Sequence, residues 1–354
     1  METKHMEKRK IAVIFGGHSS EYQVSLQSAS AILTSIDSEK YNIIPIGITR
    51  GGDWFRYYGN YENILKDCWH EDESNCIPVV ISPNRGTHGI IEFTPNGNKV
   101  TKIHAAFPVL HGKNGEDGTV QGLIELAGIP IIGCDTLSSA LCMDKERAHL
   151  LVSTAGVSVP RAVVIKDYGT EEKLLVLTQN LSYPLFVKPV RAGSSFGITK
   201  IYKEEELRLA VECAFEHDSE VIIEENIDGF EVGCAVLGND NLIVGRIDEI
   251  ELTNGFFDFT EKYTLKSSKI HMPARIDVSI ENRIQETAKV IYKSLGCSGF
   301  ARVDMFLTPD NEIVFNEVNT IPGFTPHSRY PNMMKGIGMS FSEILDKLIA
   351  LRGE

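Results

Sequence analysis

A chain of 354 residues, 42% of them hydrophobic, is long enough to build more than one core, so two or three domains are expected rather than one. Its formal net charge of −13 and pI near 5.3 leave no broad basic field to drive counterion release, which argues against a duplex nucleic-acid binder and favours small polar substrates. No apolar run approaches bilayer length, and the charged start lacks a signal peptide's apolar core, so the reading is a cytoplasmic protein with no membrane partner.

Met1 to His5, ahead of a second methionine at Met6, reads as an expression remnant. Lys10–Phe15 forms an apolar strand that breaks at Gly16-Gly17 and passes into helical periodicity through Val24, Leu26, Ala29, Ile32 and Leu33. Strand, glycine turn and helix indicate an α/β unit. Further strands are predicted at Asn42–Ile48, Ala105–Leu110 and Ile129–Ile132, with a helix over Gly118–Ala127. Residues 51–100, rich in Gly, Asn, Asp and Tyr, read as loops and a hairpin. The first domain is thus expected to be a parallel α/β unit over 6–135.

A helix over Leu137–Ala155, the strand Tyr183–Lys188, a glycine-rich turn, the strand Ile198–Tyr202, a helix over Glu204–Glu216 and the strand Glu220–Glu224 predict a compact central unit, 136–227. From Gly229 the pattern changes to long strands, Glu231–Leu237 and Leu242–Leu252, which point to an antiparallel sheet in a third unit, 228–354. The polar and aromatic stretch 253–273 is too long for a hairpin turn and reads as a lid. The seven cysteines are scattered and form no Cys-x-x-Cys pair, which predicts reduced packing residues.

The densest chemical signal lies near the C-terminus. Arg302-Val303-Asp304 and Asn316-Glu317-Val318-Asn319 each close an apolar, strand-like run, joined through the turn Thr308-Pro309-Asp310-Asn311. Two carboxylates and an amide oxygen on neighbouring strands make the hard oxygen set that Mg²⁺ prefers, with coordination places left for water and phosphate. That points to an ATP-using enzyme; the other reading is edge-strand polar groups facing water. Upstream, Lys188-Pro189-Val190-Arg191-Ala192-Gly193-Ser194-Ser195-Phe196-Gly197 can wrap phosphate oxygens with backbone N–H groups, or make a plain hairpin turn. It lacks the spacing of a P-loop. Lys145 is a second phosphate contact or a solvated lysine, and Glu224, Glu225 and Glu231 suit ribose hydroxyls or solvent. Glu21 sits at a helix N-terminus, where the dipole favours a carboxylate in any case. His111 to Gly118 reads as a site loop or as a turn with a helix cap.

Taken in order, these motifs resemble the ATP-grasp superfamily and, within it, the D-alanine:D-alanine ligase family, from Ile11 to Leu348. The resemblance rests on Gly16-Gly17 with Glu21 and Val24-Ser25-Leu26, on His111-Gly112 with Gly115-Glu116-Asp117-Gly118, and on Met143-Asp144-Lys145. It continues through Lys188-Pro189 with Gly193-Ser194-Ser195, then Arg302-x-Asp304, and closes with Glu317-Val318-Asn319-Thr320-Ile321-Pro322-Gly323. It implies a three-domain α/β and α+β fold that clasps ATP. It also implies two Mg²⁺ ions, with Mn²⁺ able to substitute, held by Asp304, Glu317 and Asn319, with Glu317 bridging. Lys145, Lys188, Ser195, Glu224, Glu231 and Lys262 would then contact ATP, and Ile227 and Phe306 would line the adenine slot. Glu21 would hold the amino group of the first D-alanine. Ser194 and Tyr263 would join Glu21 in a hydrogen-bonded triad that ties the lid down, and Arg302 would stabilise the tetrahedral intermediate. His111, Phe257, Gly323, Ser328 and Arg329 would make the substrate contacts, in a homodimer.

Arg329 is a departure from the housekeeping pattern, in which that place is usually leucine. Vancomycin-resistance ligases that make D-alanyl-D-serine carry an arginine there, and the resemblance is nearest to them. Tyr263 is kept, where ligases making D-alanyl-D-lactate carry a histidine in that region. The resemblance therefore implies D-serine as the second substrate. The alternatives are a housekeeping D-alanine:D-alanine ligase and, further off, a non-catalytic nucleotide-binding protein on the same scaffold.

Overall fold

The computed structural model describes residues 8–193, 196–252 and 268–352, and they form three sheets. In the first, β1 (Arg9–Gly16) runs parallel to β2 (Tyr41–Ile48) and to β7 (Ala105–Val109). Both faces of β1 are covered, which is why it reads as a continuous apolar run. Ile11, Val13 and Phe15 pack with Leu26, Ala29, Ile32 and Leu33 of the Tyr22–Ser35 helix, while Ala12 and Ile14 pack with Ile124 of the Thr119–Leu126 helix. At Gly16 (φ 88°) an added Cβ would collide with the Ile48 carbonyl, so only glycine allows the turn into the helix.

The sheet continues antiparallel through β3 (Trp54–Tyr57), β4 (Cys76–Ile81), β5 (Gly89–Thr94) and β6 (Gly97–Lys102), in the order β6-β5-β4-β3-β2-β1-β7. Residues 51–100 thus add two strands beyond the expected hairpin. Ile129–Ile132, expected as a strand, makes a single parallel bridge, Ala106 to Ile131. Pro130 has no N–H to extend a ladder.

The second sheet is antiparallel, β10-β9-β11-β8, from β8 (Ala162–Ile165), β9 (Leu185–Pro189), β10 (Thr199–Ile201) and β11 (Val221–Glu225). Ahead of it, the helix expected over Leu137–Ala155 is two helices, Thr136–Met143 and Lys145–Thr154, parted at Asp144. The Asp144 backbone is extended and its carboxylate accepts the Arg147 N–H at 3.0 Å, an N-cap that restarts the helix.

The third sheet is antiparallel as expected: β12 (Phe230–Leu237), β14 (Asp248–Leu252), β15 (Ser268–His271), β16 (Phe300–Leu307) and β17 (Ile313–Asn319), in the order β15-β14-β12-β16-β17. The two-residue β13 (Ile243–Val244) pairs with β12. The single strand expected over Leu242–Leu252 is broken after Val244, where Arg246 N–H turns away to the Met333 carbonyl at 3.0 Å. Residues 268–271, expected within the lid, form β15 paired with β14. Ile284, Ala288, Ile291 and Tyr292 of the Val278–Ser294 helix cover one face of this sheet. All seven cysteines are free; Cys134, Cys142, Cys234 and Cys297 are buried, and Cys213 is exposed. Among the described residues no helix is long and apolar enough to cross a membrane.

Candidate active site

Alternation along β16 sends Ala301, Val303, Met305 and Leu307 into the core and leaves Arg302, Asp304 and Phe306 on the opposite face. β17 needs one irregularity to match. Phe315 and Val318 both belong to the core, which a regular period of two forbids, and the register skips Asn316 between Met305–Phe315 and Asp304–Glu317. This bulge places Glu317 opposite Asp304 and Asn319 opposite Arg302. Arg302 Nε lies 2.8 and 3.0 Å from the two Asp304 oxygens, and Asn319 Nδ2 donates to Asp304 at 2.9 Å.

Arg329 opens the Arg329–Lys335 helix and returns to the same face. Its Nε and Nη2 donate to the two oxygens of Asp248 at 2.7 and 2.8 Å, and its Nη1 donates to Glu231 at 3.0 Å. Nη2 is also 3.6 Å from Asp304. Gly233 sits between Asp248 and Asp304 in the strand register, and a Cβ there would fall 2.5 Å from Arg329 Nη2. The guanidinium fits because β12 has no side chain at that point. The face therefore gathers four carboxylates, Glu231, Asp248, Asp304 and Glu317, around two guanidiniums. Hard carboxylate and amide oxygens on one face suit a divalent cation. Among the described residues no three His, Cys, Asp or Glu side chains converge as a metal cluster. The set that fits Mg²⁺ is two carboxylates with the Asn319 amide.

From the first sheet come Glu21, His111 and Glu116. Glu21 makes no side-chain cap bond; its carboxylate lies where a Cβ at Gly112 or Gly193 would intrude. The capping role that a helix N-terminus suggests is thus not the one it fills. Glu116 accepts the N–H of Gly112 at 2.7 Å and of Ile321 at 3.3 Å, tying the 111–118 loop to the loop after β17. Burial, and then the Glu21 charge, push the Glu116 carboxyl up. Burial pushes His111 down to about 4, helped by Arg302 and opposed by the Ile321 backbone, so its imidazole is neutral.

The central unit supplies the lysines. Lys145 stands at the first position after the Asp144 cap and donates to the Ala192 carbonyl at 2.8 Å, against the glycine-rich turn. Lys188 donates to Glu224 at 2.6 Å in a buried pair. Burial pushes the Glu224 carboxyl up, but Lys188, His149 and Lys145 outweigh it and hold it low. Ile227 lies half-buried in the link from β11 to β12, and Phe306 is half-buried on β16 opposite Glu231. Ser194, Ser195, Phe257, Lys262 and Tyr263 lie outside the described residues.

A cavity of about 290 Å³ joins these parts, lined by Glu21, His111, Lys145, Arg302, Glu317, Asn319, Gly323, Ser328 and Arg329 among others. Asp304 stands behind Arg302 and Asn319, while Lys188 and Glu224 form their own pair on the second sheet. Sequence reasoning missed Asp248, which anchors Arg329, and Ser28, which lines the cavity. An aspartate within an apolar strand and a glycine inside a long strand were the available signals.

Three sheets whose side chains meet around one cavity give the architecture of a ligase of small amino acids. The sequence profile described as D-ala D-ala ligase N-terminus matches residues 10–134, and that of the D-ala D-ala ligase C-terminus matches 151–350. The crystal structure of the VanG D-Ala:D-Ser ligase from Enterococcus faecalis is 66% identical, with a TM-score of 0.92 over 98% of this chain and 100% of that one. The vancomycin B-type resistance protein VanB of E. faecalis is 46% identical over 98% of this chain and 99% of its own. The D-alanine-D-alanine ligase of Coxiella burnetii is 32% identical, with a TM-score of 0.84 over 98% and 94%. The chain belongs to the D-alanine:D-alanine ligase family, ATP-dependent enzymes that form a C–N bond between small amino acids.

Proposed function

We propose that this enzyme joins D-alanine to D-serine, forming ADP and phosphate, with the product entering peptidoglycan precursors of the vancomycin-resistance type. The observation that carries the serine reading is Arg329, set in the cavity wall by Asp248 and Glu231. A serine hydroxyl entering an apolar pocket loses about 1–3 kcal/mol of hydrogen bonding unless a polar group meets it. Asp248 and Glu231 fix the guanidinium's plane, so a remaining N–H edge or the neighbouring carboxylates serve that hydroxyl. The similarity to the VanG D-Ala:D-Ser ligase supports the same reading.

Glu21 receives the ammonium of the first D-alanine beside Gly112 and Gly193, where the absence of side chains leaves room for its carboxylate. The D-alanine carboxylate attacks the γ-phosphate to give an acyl phosphate, and the second substrate's amine attacks that carbonyl. Arg302, held by Asp304, donates to the developing oxyanion. Lys145 and Lys188 meet the phosphates, Glu224 with Ile227 and Phe306 takes the base, and Glu231 is shared between the ribose and Arg329. Two Mg²⁺ ions at Asp304, Glu317 and Asn319 would neutralise phosphate charge. Ser194, Ser195, Phe257, Lys262 and Tyr263 complete the lid side of the proposal, since an acyl phosphate must be kept from water. The three-unit division at 135 and 227, a cytoplasmic location and a homodimer belong to the same reading.

The test supplies ATP, Mg²⁺ and D-alanine with D-serine in excess and separates the products. D-alanyl-D-serine is expected to dominate. A preponderance of D-alanyl-D-alanine would make the enzyme a housekeeping ligase, and ADP release independent of D-alanine would remove the ligase reading.

A further inference from the structure

Ser28 lies in the middle of the Tyr22–Ser35 helix and is 1% exposed. A serine inside a helix usually turns to solvent or bonds back to its own helix. Ser28 instead bonds outside its helix: the Oγ is 3.2 Å from His111 Nε2 and accepts the Phe324 N–H at 3.1 Å. The contact with Phe324 spans 296 residues and joins the first sheet's helix to the segment after β17.

The Phe324 amide can only donate and takes one of the two Oγ lone pairs, which leaves the hydroxyl one lone pair and its proton. A neutral His111 has a single ring proton, and its bond to the Ile321 backbone uses it, so Nε2 accepts from the Ser28 hydroxyl and the ring proton sits on Nδ1. Phe324 follows Gly323, and Thr325 folds the segment onward, its N–H and hydroxyl 3.1 and 2.9 Å from Ser328 Oγ. Ser28 thus holds the segment that carries Gly323 and Ser328, at a point separate from the Glu116 bond to Ile321.

We propose that Ser28 is a positioning residue for the second substrate: by bonding Phe324 and His111 together it sets the Gly323–Ser328 segment in the shape that binds the acceptor. This rests on the reading that the segment binds the second substrate. Nothing in the helix itself requires a hydroxyl there, and removing it leaves the Phe324 N–H and His111 Nε2 buried without this partner.

Steady-state kinetics of Ser28→Ala and Ser28→Thr, varying acceptor and ATP separately, test the proposal. Ser28→Ala is expected to raise the acceptor KM about tenfold, as one lost hydrogen bond of ~1.4 kcal/mol would, with the ATP KM unchanged and Ser28→Thr restoring most of the loss. Equal rises in both KM values, or none, would overturn it. Nitrogen-15 NMR of the histidine-labelled wild type supplies a check that needs no variant. Neutral His111 protonated at Nδ1 supports the arrangement, and protonation at Nε2 refutes it. The kinetics use whichever D-amino acid the wild type prefers as acceptor. A preference for D-alanine would therefore end the serine reading while the Ser28 result still stands on its own.

Discussion

On the first sheet, the buried Glu92 carboxylate accepts from Arg56 at 2.8 Å, from the Thr101 hydroxyl at 2.8 Å and from the Tyr58 hydroxyl, with Lys99 3.8 Å away. On the third sheet, Glu231, Asp248, Asp304 and Glu317 gather around Arg302 and Arg329. One acid with two cations closes on itself and holds three strands together. Four acids and two guanidiniums share one face of the third sheet, and Glu317, Arg302 and Arg329 of that group reach the cavity wall. Both clusters are hydrogen-bonded; what separates scaffold from site is that only the second reaches a cavity wall.

The largest effect expected is for Glu317→Gln. Loss of the proposed bridging carboxylate should lower turnover on the order of 10³-fold. Retained turnover at limiting Mg²⁺ would cancel the metal assignment. Arg329→Leu comes next. It should move the ratio of kcat/KM for D-serine over D-alanine by ~10-fold toward D-alanine. Asp248→Asn, which keeps the arginine but weakens its anchor, should move it the same way by less. A ratio that stays put in both would place serine selection elsewhere in the pocket.

Glu92→Gln should leave kcat/KM and the acceptor ratio unchanged and act on stability alone. Burial pushes the Glu92 carboxyl up, but Tyr58, Thr101 and Arg56 outweigh it and hold it below the ordinary value. Its stabilisation is therefore present above the usual carboxylate range and is lost as pH falls through the lowered value. At pH 7 the variant should lose ~2 kcal/mol, measured by denaturant unfolding, and the gap should narrow progressively as pH falls below the ordinary carboxylate value. A gap that persists in acid would mean the cluster stabilises by packing rather than by charge.

The sequence made the strand, glycine turn and first helix legible because β1 is buried on both faces and the helix keeps a clean apolar stripe. It made Asp304, Glu317 and Asn319 legible because polar residues interrupt apolar strands. The bulge at Asn316 was hidden, since a skipped residue leaves no compositional mark. Asp144 was read through as helix, although an aspartate before Lys145-Glu146 is an N-cap signal; apolar periodicity on both sides masked it. Of the four strands between 54 and 102 only a hairpin's two were expected, because β3 and β6 bury few residues and lie amid turn-forming ones. Asp248 stayed invisible because its role depends on a partner 81 residues away.

Gly233 has no group that could bind a substrate, yet the position of Arg329 depends on it. A methyl there would lie 2.5 Å from Arg329 Nη2 and 2.7 Å from Asp248 Oδ1. The larger of two possible occupants would be expelled, and the guanidinium would have to leave the face of β12. On the role proposed for Arg329, choice of acceptor is conditional on a vacancy in the backbone of a strand, so a survey of contact residues alone would overlook the position able to undo it.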